Sequence, residues 1–307
     1  MLGVRGGYRG ERQGRNPYAP EPIALSAVGR AMLTHWENLW RDLASQDVMA
    51  SAEGEAHMVE RWRRVAHRLD AGAGTEADPL LDDVRARLDP AASVVDIGAG
   101  IGRWTIPLAQ AAARVTAIEP LAGMRTVLLE RVSARGLTNV MVVDQPWMSV
   151  GIPRHDVALA VHATYTTPDL LGFVTKMETI APVCYLVLRV PAHDGLIGAL
   201  SALVHHQWHD SPNFIVAYNL LLAAGRYPDV LMEPAPTRHW QDPTLETAVM
   251  RAKRHLKLTD ARHDEKIRTL LAQKLTLIDG AYRWPDGMRS ALIRWEGRPP
   301  AVPVEDQ

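Results

Sequence analysis

Residues 94–102 of this 307-residue chain read Val-Val-Asp-Ile-Gly-Ala-Gly-Ile-Gly, and this stretch decides the fold. A β-branched run ends in an acidic residue, three glycines follow at alternate positions, and a helical pattern then runs through Trp104, Leu108 and Ala112. This order predicts a buried strand, a tight turn and the start of a helix. Because glycine allows a positive φ or a close approach of backbone to a ligand, we predict a ligand-binding loop at the carboxyl end of the strand.

Strands and helices alternate on the carboxyl side of this loop. Apolar and β-branched runs predict strands at 93–97, 114–118, 140–143, 156–161 and 183–190. Helical patterns are predicted between these strands at 104–113, 124–135 and 170–180. The alternation predicts an α/β fold with a doubly wound, mostly parallel sheet that is covered by helices on both faces. Further on, helices at 243–255 and 260–275, a turn at Trp284-Pro285-Asp286-Gly287 and a final strand at 290–295 are predicted.

The change of pattern along the chain predicts three regions. Residues 1–20, rich in Gly and Arg, are expected to form a disordered or loosely attached tail. Residues 21–75 are expected to form a helical N-terminal cap, since apolar residues recur at helical spacing within it and a small-residue linker closes it. Residues 76–307 form the main α/β domain in this interpretation. Trp36 and Trp40 in the cap are expected to pack its helices onto that domain, and lining a substrate pocket is the alternative.

An insertion at about 191–236 interrupts the alternation. Its two apolar, helical segments, at 196–208 and 213–224, follow the carboxyl end of a predicted strand, so we expect this insertion to form a lid over the ligand face. His205 and His209 share one face of the first segment at metal-ligand spacing. No third ligand completes a metal site in the sequence, so we predict no metal and treat both histidines as candidate substrate contacts.

Composition excludes several classes of protein. A formal net charge of -1 and a pI near 6.9 argue against nucleic-acid binding by the whole surface, although a local basic patch stays open. The single cysteine, Cys184, excludes an intramolecular disulfide and cysteine-rich metal sites. No apolar run reaches the ~18 residues that a membrane span requires, and the N-terminus lacks the apolar segment of a secretory signal. We therefore expect a cytoplasmic protein without membrane contact.

The glycine loop does not match a dinucleotide-binding fingerprint, because Arg103 holds the position of the third glycine. An acidic residue followed by Gly-x-Gly-x-Gly, with the second acid Glu119 at the end of the next predicted strand, resembles the class I S-adenosylmethionine-dependent methyltransferases. The resemblance covers about residues 88–190. It implies a seven-stranded sheet, S-adenosylmethionine as the cofactor and S-adenosylhomocysteine as the product.

The resemblance also implies roles for individual residues. Asp96 would lie near the methionine ammonium group of the cofactor, and Glu119 would accept hydrogen bonds from both ribose hydroxyls. Asp144 would accept a hydrogen bond from the adenine amino group, and Trp147 would stack on the adenine ring. The alternatives are an aspartate that only forms a turn and a tryptophan that only packs in the core. The cofactor-binding residues implied are Asp96, Gly98, Ala99, Gly100, Gly102, Glu119, Pro120, Met124, Asp144, Gln145, Trp147 and His162.

Candidate catalytic residues follow the fourth and fifth strands. In the family, the end of the fourth strand lies beside the transferring methyl group, which makes His162 and Tyr165 candidates. His162 could serve as a general base, or it could make only a supporting hydrogen bond. His193 is a further catalytic candidate and Asp194 a candidate substrate contact, because both follow the fifth strand. The segment from His162 to Tyr165 departs from the Asn-Pro-Pro-Tyr signature of amino-group methyltransferases, which weakens a nucleic-acid or glutamine-amide substrate.

We therefore expect methyl transfer to a small-molecule acceptor enclosed by the N-terminal helices and the insertion. An RNA- or protein-modifying methyltransferase is the first alternative, supported by the Arg-rich first 15 residues and by Arg61, Arg63, Arg64 and Arg68. A catalytically silent cofactor-binding or scaffold protein is the second. The sequence leaves open which atom is methylated and whether the protein is a homodimer.

Overall fold

The computed structural model describes residues 26–45, 59–60, 62–66, 78–191, 195–206, 211–234 and 238–297. Residues 59–60 and 62–66 are helical. The helices are α1 (Ala27–Ser45), α2 (Pro79–Arg87), α3 (Thr105–Ala109), α4 (Ala122–Ala134), α5 (Leu170–Ile180), α6 (Leu196–His205), α7 (Phe214–Ala223), α8 (Leu245–His255) and α9 (Asp264–Lys274). The strands are β1 (Ser93–Ile97), β2 (Arg114–Ile118), β3 (Val140–Val143), β4 (Val157–Val161), β5 (Val183–Val190), β6 (Asp229–Met232), β7 (Arg238–Asp242), β8 (Thr276–Ile278) and β9 (Ala281–Glu296).

The main sheet has the strand order β3-β2-β1-β4-β5-β9-β6. Its first five strands are parallel, and β9 runs antiparallel to both β5 and β6. The chain places β2 and β3 on one side of β1 and then returns to place β4 and β5 on the other side. The carboxyl ends of β1 and β4 therefore border the crevice where ligands bind in such sheets. The predicted mostly parallel, seven-stranded α/β fold is confirmed.

Both faces of the sheet are buried, and this explains the near-continuous apolar strands. Along β5, Leu186 and Leu188 belong to one core, while Tyr185 and Val187 belong to the core on the opposite face. Side chains of α1, α5 and α7 fill the first core, and those of α2 fill the second. Successive strand residues point to opposite faces, so burial of both faces requires every position to be apolar.

The two helices of the predicted insertion have different surroundings. α7 buries Ala217, Leu220 and Leu221 in the core of the main sheet. α6 instead packs with α8 and α9 in a separate core, to which Leu200 and Trp284 contribute. The region 196–205 is therefore joined to residues 238–284, which come later in the chain.

The turn predicted at residues 284–287 was wrong. These residues lie within β9, whose first part pairs with β7 and β8, for example Gln241 with Arg283 and Ile278 with Ala281. Pro and Gly favour turns in isolation, but pairing with two neighbouring strands outweighs that local preference here. The helix predicted at 104–113 is also shorter in the structure, where α3 ends at Ala109.

None of the described helices is both long and apolar enough to cross a membrane.

Candidate active site

The glycine loop adopts a backbone that only glycine accommodates well. Gly98, Gly100 and Gly102 have φ values of +73°, +57° and +79°. A Cβ added to Gly98 would lie 2.4 Å from the Cβ of Ala163, and one added to Gly102 would lie 2.5 Å from Cδ1 of Leu128. Both conformation and space therefore require glycine at these positions. The loop lies against the segment that follows β4, as well as against α4.

Hydrogen bonds fix the loop from two sides. The backbone N–H groups of Gly98 and Ala99 donate to the carbonyl of Ile118 at 2.8 and 3.0 Å. On the other side, the buried Arg131 donates from Nη1 to the carbonyl of Ile101 at 2.5 Å. Arg131 was not predicted as a site residue, although its place among buried positions of α4, between Leu128 and Val132, could have revealed it. Together these contacts hold the loop rigid before any ligand binds.

Glu119 connects the end of β2 to the glycine loop. Its side chain is buried, and its Oε2 accepts a hydrogen bond from the N–H of Gly100 while Oε1 accepts one from the N–H of Leu121, both at 2.8 Å. A carboxylate oxygen has a second lone pair, so these bonds orient the group and leave acceptor capacity for a ligand. The carboxylate is thus fixed at the edge of the loop, where the resemblance predicted a ribose contact.

Asp96 lies beneath the loop, with 2% of its surface exposed. Its Oδ2 accepts a hydrogen bond from the hydroxyl of Thr105 at 2.6 Å, which ties β1 to the start of α3. The pKa of Asp96 is raised to about 6, mainly by burial; the hydrogen bond from Thr105 opposes this rise, and the nearby negative charge of Glu119 adds to it. A cation bound beside Asp96 would favour its charged form.

The raised pKa of Asp96 predicts a pH-dependent stability. Because the pKa is higher in the folded chain than its ordinary value of 3.8, the protonated group favours folding, and this contribution is lost as pH rises through about 6. The full difference between a pKa of 3.8 and one of about 6 corresponds to about 3 kcal/mol of unfolding free energy, of which about 2 kcal/mol is lost between about pH 4.5 and about pH 7.5. Urea denaturation of the wild type and of Asp96→Asn, at about pH 4.5 and about pH 7.5, measures this term. Wild type should lose stability relative to Asp96→Asn over this range.

Asp82→Asn is the control for this measurement, because Asp82 lies on the exposed surface of α2. It should follow the wild-type pH dependence. Parallel pH profiles for Asp96→Asn and the wild type would contradict the assignment.

His162 and Tyr165 lie in the segment after β4 and contact each other. His162 Nδ1 and the Tyr165 hydroxyl are 2.7 Å apart, and their rings stack at 6.0 Å between centroids. The second ring nitrogen, Nε2, lies 3.2 Å from the hydroxyl of Ser290 on β9. The Tyr165 hydroxyl also accepts a hydrogen bond from the backbone N–H of Arg189 on β5, at 2.9 Å. Four side chains or backbone groups from β4, β5 and β9 thus converge beside the glycine loop.

The backbone of His162 is also unusual. Its φ is +53°, a left-handed conformation that costs a non-glycine residue free energy and that is enriched at functional sites. Ser290 was not predicted as a site residue. It lies 128 positions from His162 in the chain, and no local sequence pattern joins them.

The structure gives the other implied cofactor residues different surroundings. Met124 is buried with Ile101 and packs against Trp62 of the N-terminal helical region. Trp147 is buried in the main core, where its indole N–H donates to the carbonyl of Phe173 at 3.3 Å and the Lys176 ammonium lies 4.7 Å from its ring. Its ring is thus occupied by core packing, which agrees with the alternative of a packed tryptophan. The remaining implied cofactor residues in this part of the chain are exposed, namely Pro120, Asp144 and Gln145.

The candidate substrate residues are spread over the fold. Trp40 is fully buried and donates from Nε1 to the carbonyl of Thr167 at 2.7 Å, so it fastens α1 to the segment after β4. Trp36 is half-buried on the same core. His205 bonds through Nε2 to the carbonyl of Leu256 at 2.8 Å and so joins α6 to α8.

The predicted residues outside the described part of the chain are His193, Asp194 and His209. Within the described ranges, no group of three His, Cys, Asp or Glu side chains could hold a metal ion.

Comparison with known proteins agrees with this geometry. Residues 62–263, about two thirds of the chain, match the family model described as a methyltransferase domain. No curated protein matches the sequence significantly. The YcgJ protein from Bacillus subtilis is 15% identical with a TM-score of 0.50, over 71% of this chain and 98% of its own. A candidate methyltransferase from Bacillus halodurans C-125 is 15% identical with a TM-score of 0.51, over 73% of this chain and 99% of its own.

These two structures have the same fold as this chain, and the family match identifies the activity. The glycine backbone at positive φ and the buried carboxylate of Glu119 at the adjacent strand end are the features that S-adenosylmethionine requires of such a site. The chain therefore belongs to the methyltransferase-domain family and is a class I S-adenosylmethionine-dependent methyltransferase.

Proposed function

We propose that the protein transfers the methyl group of S-adenosylmethionine to a small-molecule acceptor at the carboxyl ends of β4 and β5, beside Ser290 of the antiparallel β9. The observation that carries this proposal is the hydrogen-bonded group of His162, Tyr165 and Ser290 directly beside the glycine loop. Titratable and hydroxyl groups that converge in a partly buried site are typical of an acceptor pocket.

The N-terminal helices favour a small acceptor over a macromolecule. α1 is fastened to the segment after β4 by the Trp40–Thr167 hydrogen bond. Helical residues 59–60 and 62–66 pack on Ile101 and Met124, and a Cβ added to Gly123 would lie 2.7 Å from Val59. Both loops that border the site are thus covered by the N-terminal region, and a covered site suits a ligand that can be enclosed.

Three groups of this chain would hold the cofactor. The glycine loop would approach it with backbone, Glu119 would accept the ribose hydroxyls, and Asp96 would face the methionine ammonium. When bound, the cofactor supplies an electrophilic methyl group: the acceptor atom bonds to the methyl carbon while the carbon–sulfur bond breaks and sulfur keeps the electron pair. Alignment of the acceptor with that methyl group supplies most of the rate enhancement.

We assign to His162 the role of the base that takes a proton from the acceptor. The Tyr165 oxygen is fixed by the N–H of Arg189, and we assign the neutral-ring proton of His162 to Nδ1, which donates to that oxygen. Nε2 then keeps its lone pair and faces the Ser290 hydroxyl at the longer distance of 3.2 Å. A neutral imidazole nitrogen in this position can accept the proton of a bound acceptor.

The variant His162→Asn tests this assignment. Asparagine tolerates the left-handed backbone of this position but cannot act as a base, so turnover should fall by about 100-fold or more. The dissociation constant of S-adenosylhomocysteine, measured by calorimetry, should change by less than about threefold, because the loss concerns the transition state alone. Equal turnover in variant and wild type would remove His162 from the reaction.

His206→Asn is a matched control. His206 has nearly the same backbone conformation, with φ of +58°, but it is exposed at the end of α6. Turnover should be unchanged in this variant.

A labelling experiment tests the acceptor class. The protein is supplied with S-adenosylmethionine labelled at the methyl group, together with separated small-molecule, RNA and protein fractions of a cell extract. Label is expected in the small-molecule fraction. Label in RNA that is lost steeply with added salt would support nucleic-acid modification instead, and label in protein would also contradict the proposal.

A further inference from the structure

We infer that Arg189 binds an anionic group of the methyl acceptor, and that the acceptor is therefore a carboxylate-bearing small molecule; this inference rests on the proposed function. Arg189 lies near the carboxyl end of β5 and is half-buried. Its guanidinium carbon lies 5.5 Å from the centre of the Tyr165 ring. Its Nε is buried and has no hydrogen-bond partner in the part of the chain that the structure describes.

Three other half-buried arginines form ion pairs, and the buried Arg131 bonds to a backbone carbonyl. Arg226 bonds through Nε and Nη2 to both carboxylate oxygens of Glu178, at 2.8 Å each. Arg251 bonds in the same way to Asp242. Arg294 also has an unpartnered Nε, but its terminal nitrogens lie 3.3 Å from Asp229 and 3.6 Å from Glu296. Among the described residues, Arg189 has no such ion pair.

A buried, unpartnered Nε on Arg189 is costly unless it serves a ligand. A buried donor without a partner loses its hydration without compensation. Thr164, in the adjoining segment, is fully buried and its hydroxyl also lacks a partner within the described ranges. One unsatisfied group thus precedes Tyr165 in the chain and the other belongs to the arginine beside its ring, and we attribute both to a site whose partners arrive with the ligand.

The strand order assigns this anion to the acceptor. Glu119 follows β2, the glycine loop follows β1, His162 follows β4, and Arg189 lies on β5, in the order β2-β1-β4-β5. Neighbouring strands are about 4.8 Å apart, so Arg189 lies about two strand spacings from β1 and on the far side of β4. The groups proposed to hold the cofactor belong to β1 and β2, and the space beyond β4 is left for the acceptor.

Arginine in this arrangement suits a carboxylate. The guanidinium is planar and presents parallel N–H donors that match both oxygens of a carboxylate, and an aromatic face can hold it in a fixed orientation. Ser290 pairs with Arg189 across β5 and β9, so its side chain extends from the same face of the sheet. The buried carboxylate of Glu233 is already engaged by the backbone N–H of Ser290 at 2.6 Å. The single positive charge of Arg189 matches a monoanion.

The first experiment requires no knowledge of the acceptor's identity. A small-molecule extract is passed over an anion-exchange resin or over a cation-exchange resin, and each eluate is tested for methyl acceptance with labelled cofactor. The anion exchanger should remove most of the acceptor activity, and the cation exchanger should leave it. Unchanged labelling after anion exchange would overturn the inference while the proposed function stands, whereas label only in RNA or protein would defeat the proposed function itself.

The second experiment uses Arg189→Gln with the acceptor in the untreated extract. The extract concentration that gives half-maximal rate should rise by at least about tenfold, which corresponds to loss of a charged, bidentate contact. Affinity for S-adenosylhomocysteine should stay within about twofold, and Arg189→Lys should recover part of the loss. A tenfold loss of S-adenosylhomocysteine affinity would instead assign Arg189 to the cofactor's own carboxylate and overturn the inference.

Two controls separate binding from folding. Arg262→Gln, at an exposed arginine, should leave both affinities unchanged. The melting temperature of Arg189→Gln should equal or exceed that of the wild type, since no described ion pair is lost, whereas Arg226→Gln leaves Glu178 buried and unpaired and should melt well below it. A drop for Arg189→Gln as large as that for Arg226→Gln would show a structural role and overturn the inference.

Discussion

Replacement of Gly98 by alanine is expected to abolish cofactor binding. The new Cβ would lie 2.4 Å from that of Ala163, and both atoms belong to short side chains that cannot rotate away. The added φ strain at +73° costs about 1–2 kcal/mol, and relief of the contact must separate the glycine loop from the segment that carries His162. We expect S-adenosylhomocysteine binding to weaken by more than about 100-fold in calorimetry, equivalent to about 3 kcal/mol.

Two other glycines separate the causes of this effect. Gly136 has a φ of +62° but nothing within 4 Å of an added Cβ, so Gly136→Ala carries the conformational strain alone. Gly151 has open space, and its φ lies outside the left-handed region, so Gly151→Ala carries neither cost. Both should bind the cofactor as the wild type does, with a lower melting temperature for Gly136→Ala only. Near-normal binding by Gly98→Ala would mean that the loop does not contact the cofactor.

Glu119→Gln is expected to weaken S-adenosylhomocysteine binding by about 100-fold. A hydrogen bond to a charged acceptor contributes about 1.5–3 kcal/mol, and the amide lacks both the charge and one of the two acceptor oxygens. The amide must also turn a donor toward the N–H of either Gly100 or Leu121, which the carboxylate accepts at 2.8 Å. Calorimetry with S-adenosylhomocysteine measures the loss directly.

Glu130→Gln, at an exposed position of α4, is the control for Glu119→Gln and should bind normally. The negative charge of Glu119 raises the pKa of Asp96, so the two carboxylates repel each other and loss of the Glu119 charge should not by itself destabilise the fold. A lower melting temperature of Glu119→Gln than of the wild type would therefore report other damage to the structure. Full affinity in a stable Glu119→Gln protein would exclude the ribose contact.

The parallel half of the fold could be predicted from the sequence almost residue by residue. β1, β2, β3 and β5 have the predicted bounds, because strands buried on both faces appear as short apolar runs. The antiparallel half was less accurate. In β9, the local turn preference of Pro285 and Gly287 opposed the strand that pairing with β7 and β8 imposes.

The candidate site, too, could be predicted from the sequence only in part. Asp96, the glycines and Glu119 lie within 24 positions of each other, and the strand–loop–helix pattern of the sequence is enough to join them in one site. The sequence around Trp147 is compatible both with stacking on a ligand and with packing in the core. Its contact with Phe173 follows from the position of α5 in the tertiary structure.

The sequence by itself determined the α/β fold, the family and the cofactor, because a glycine loop between a buried strand and a helix is a local device that needs few residues. The tertiary structure decided which groups surround the acceptor. Ser290 and Arg189 meet His162 and Tyr165 only through the pairing of β4, β5 and β9. The contacts join residues 24 and 128 positions apart and leave no periodic trace in one sequence, since they depend on how the chain folds back on itself.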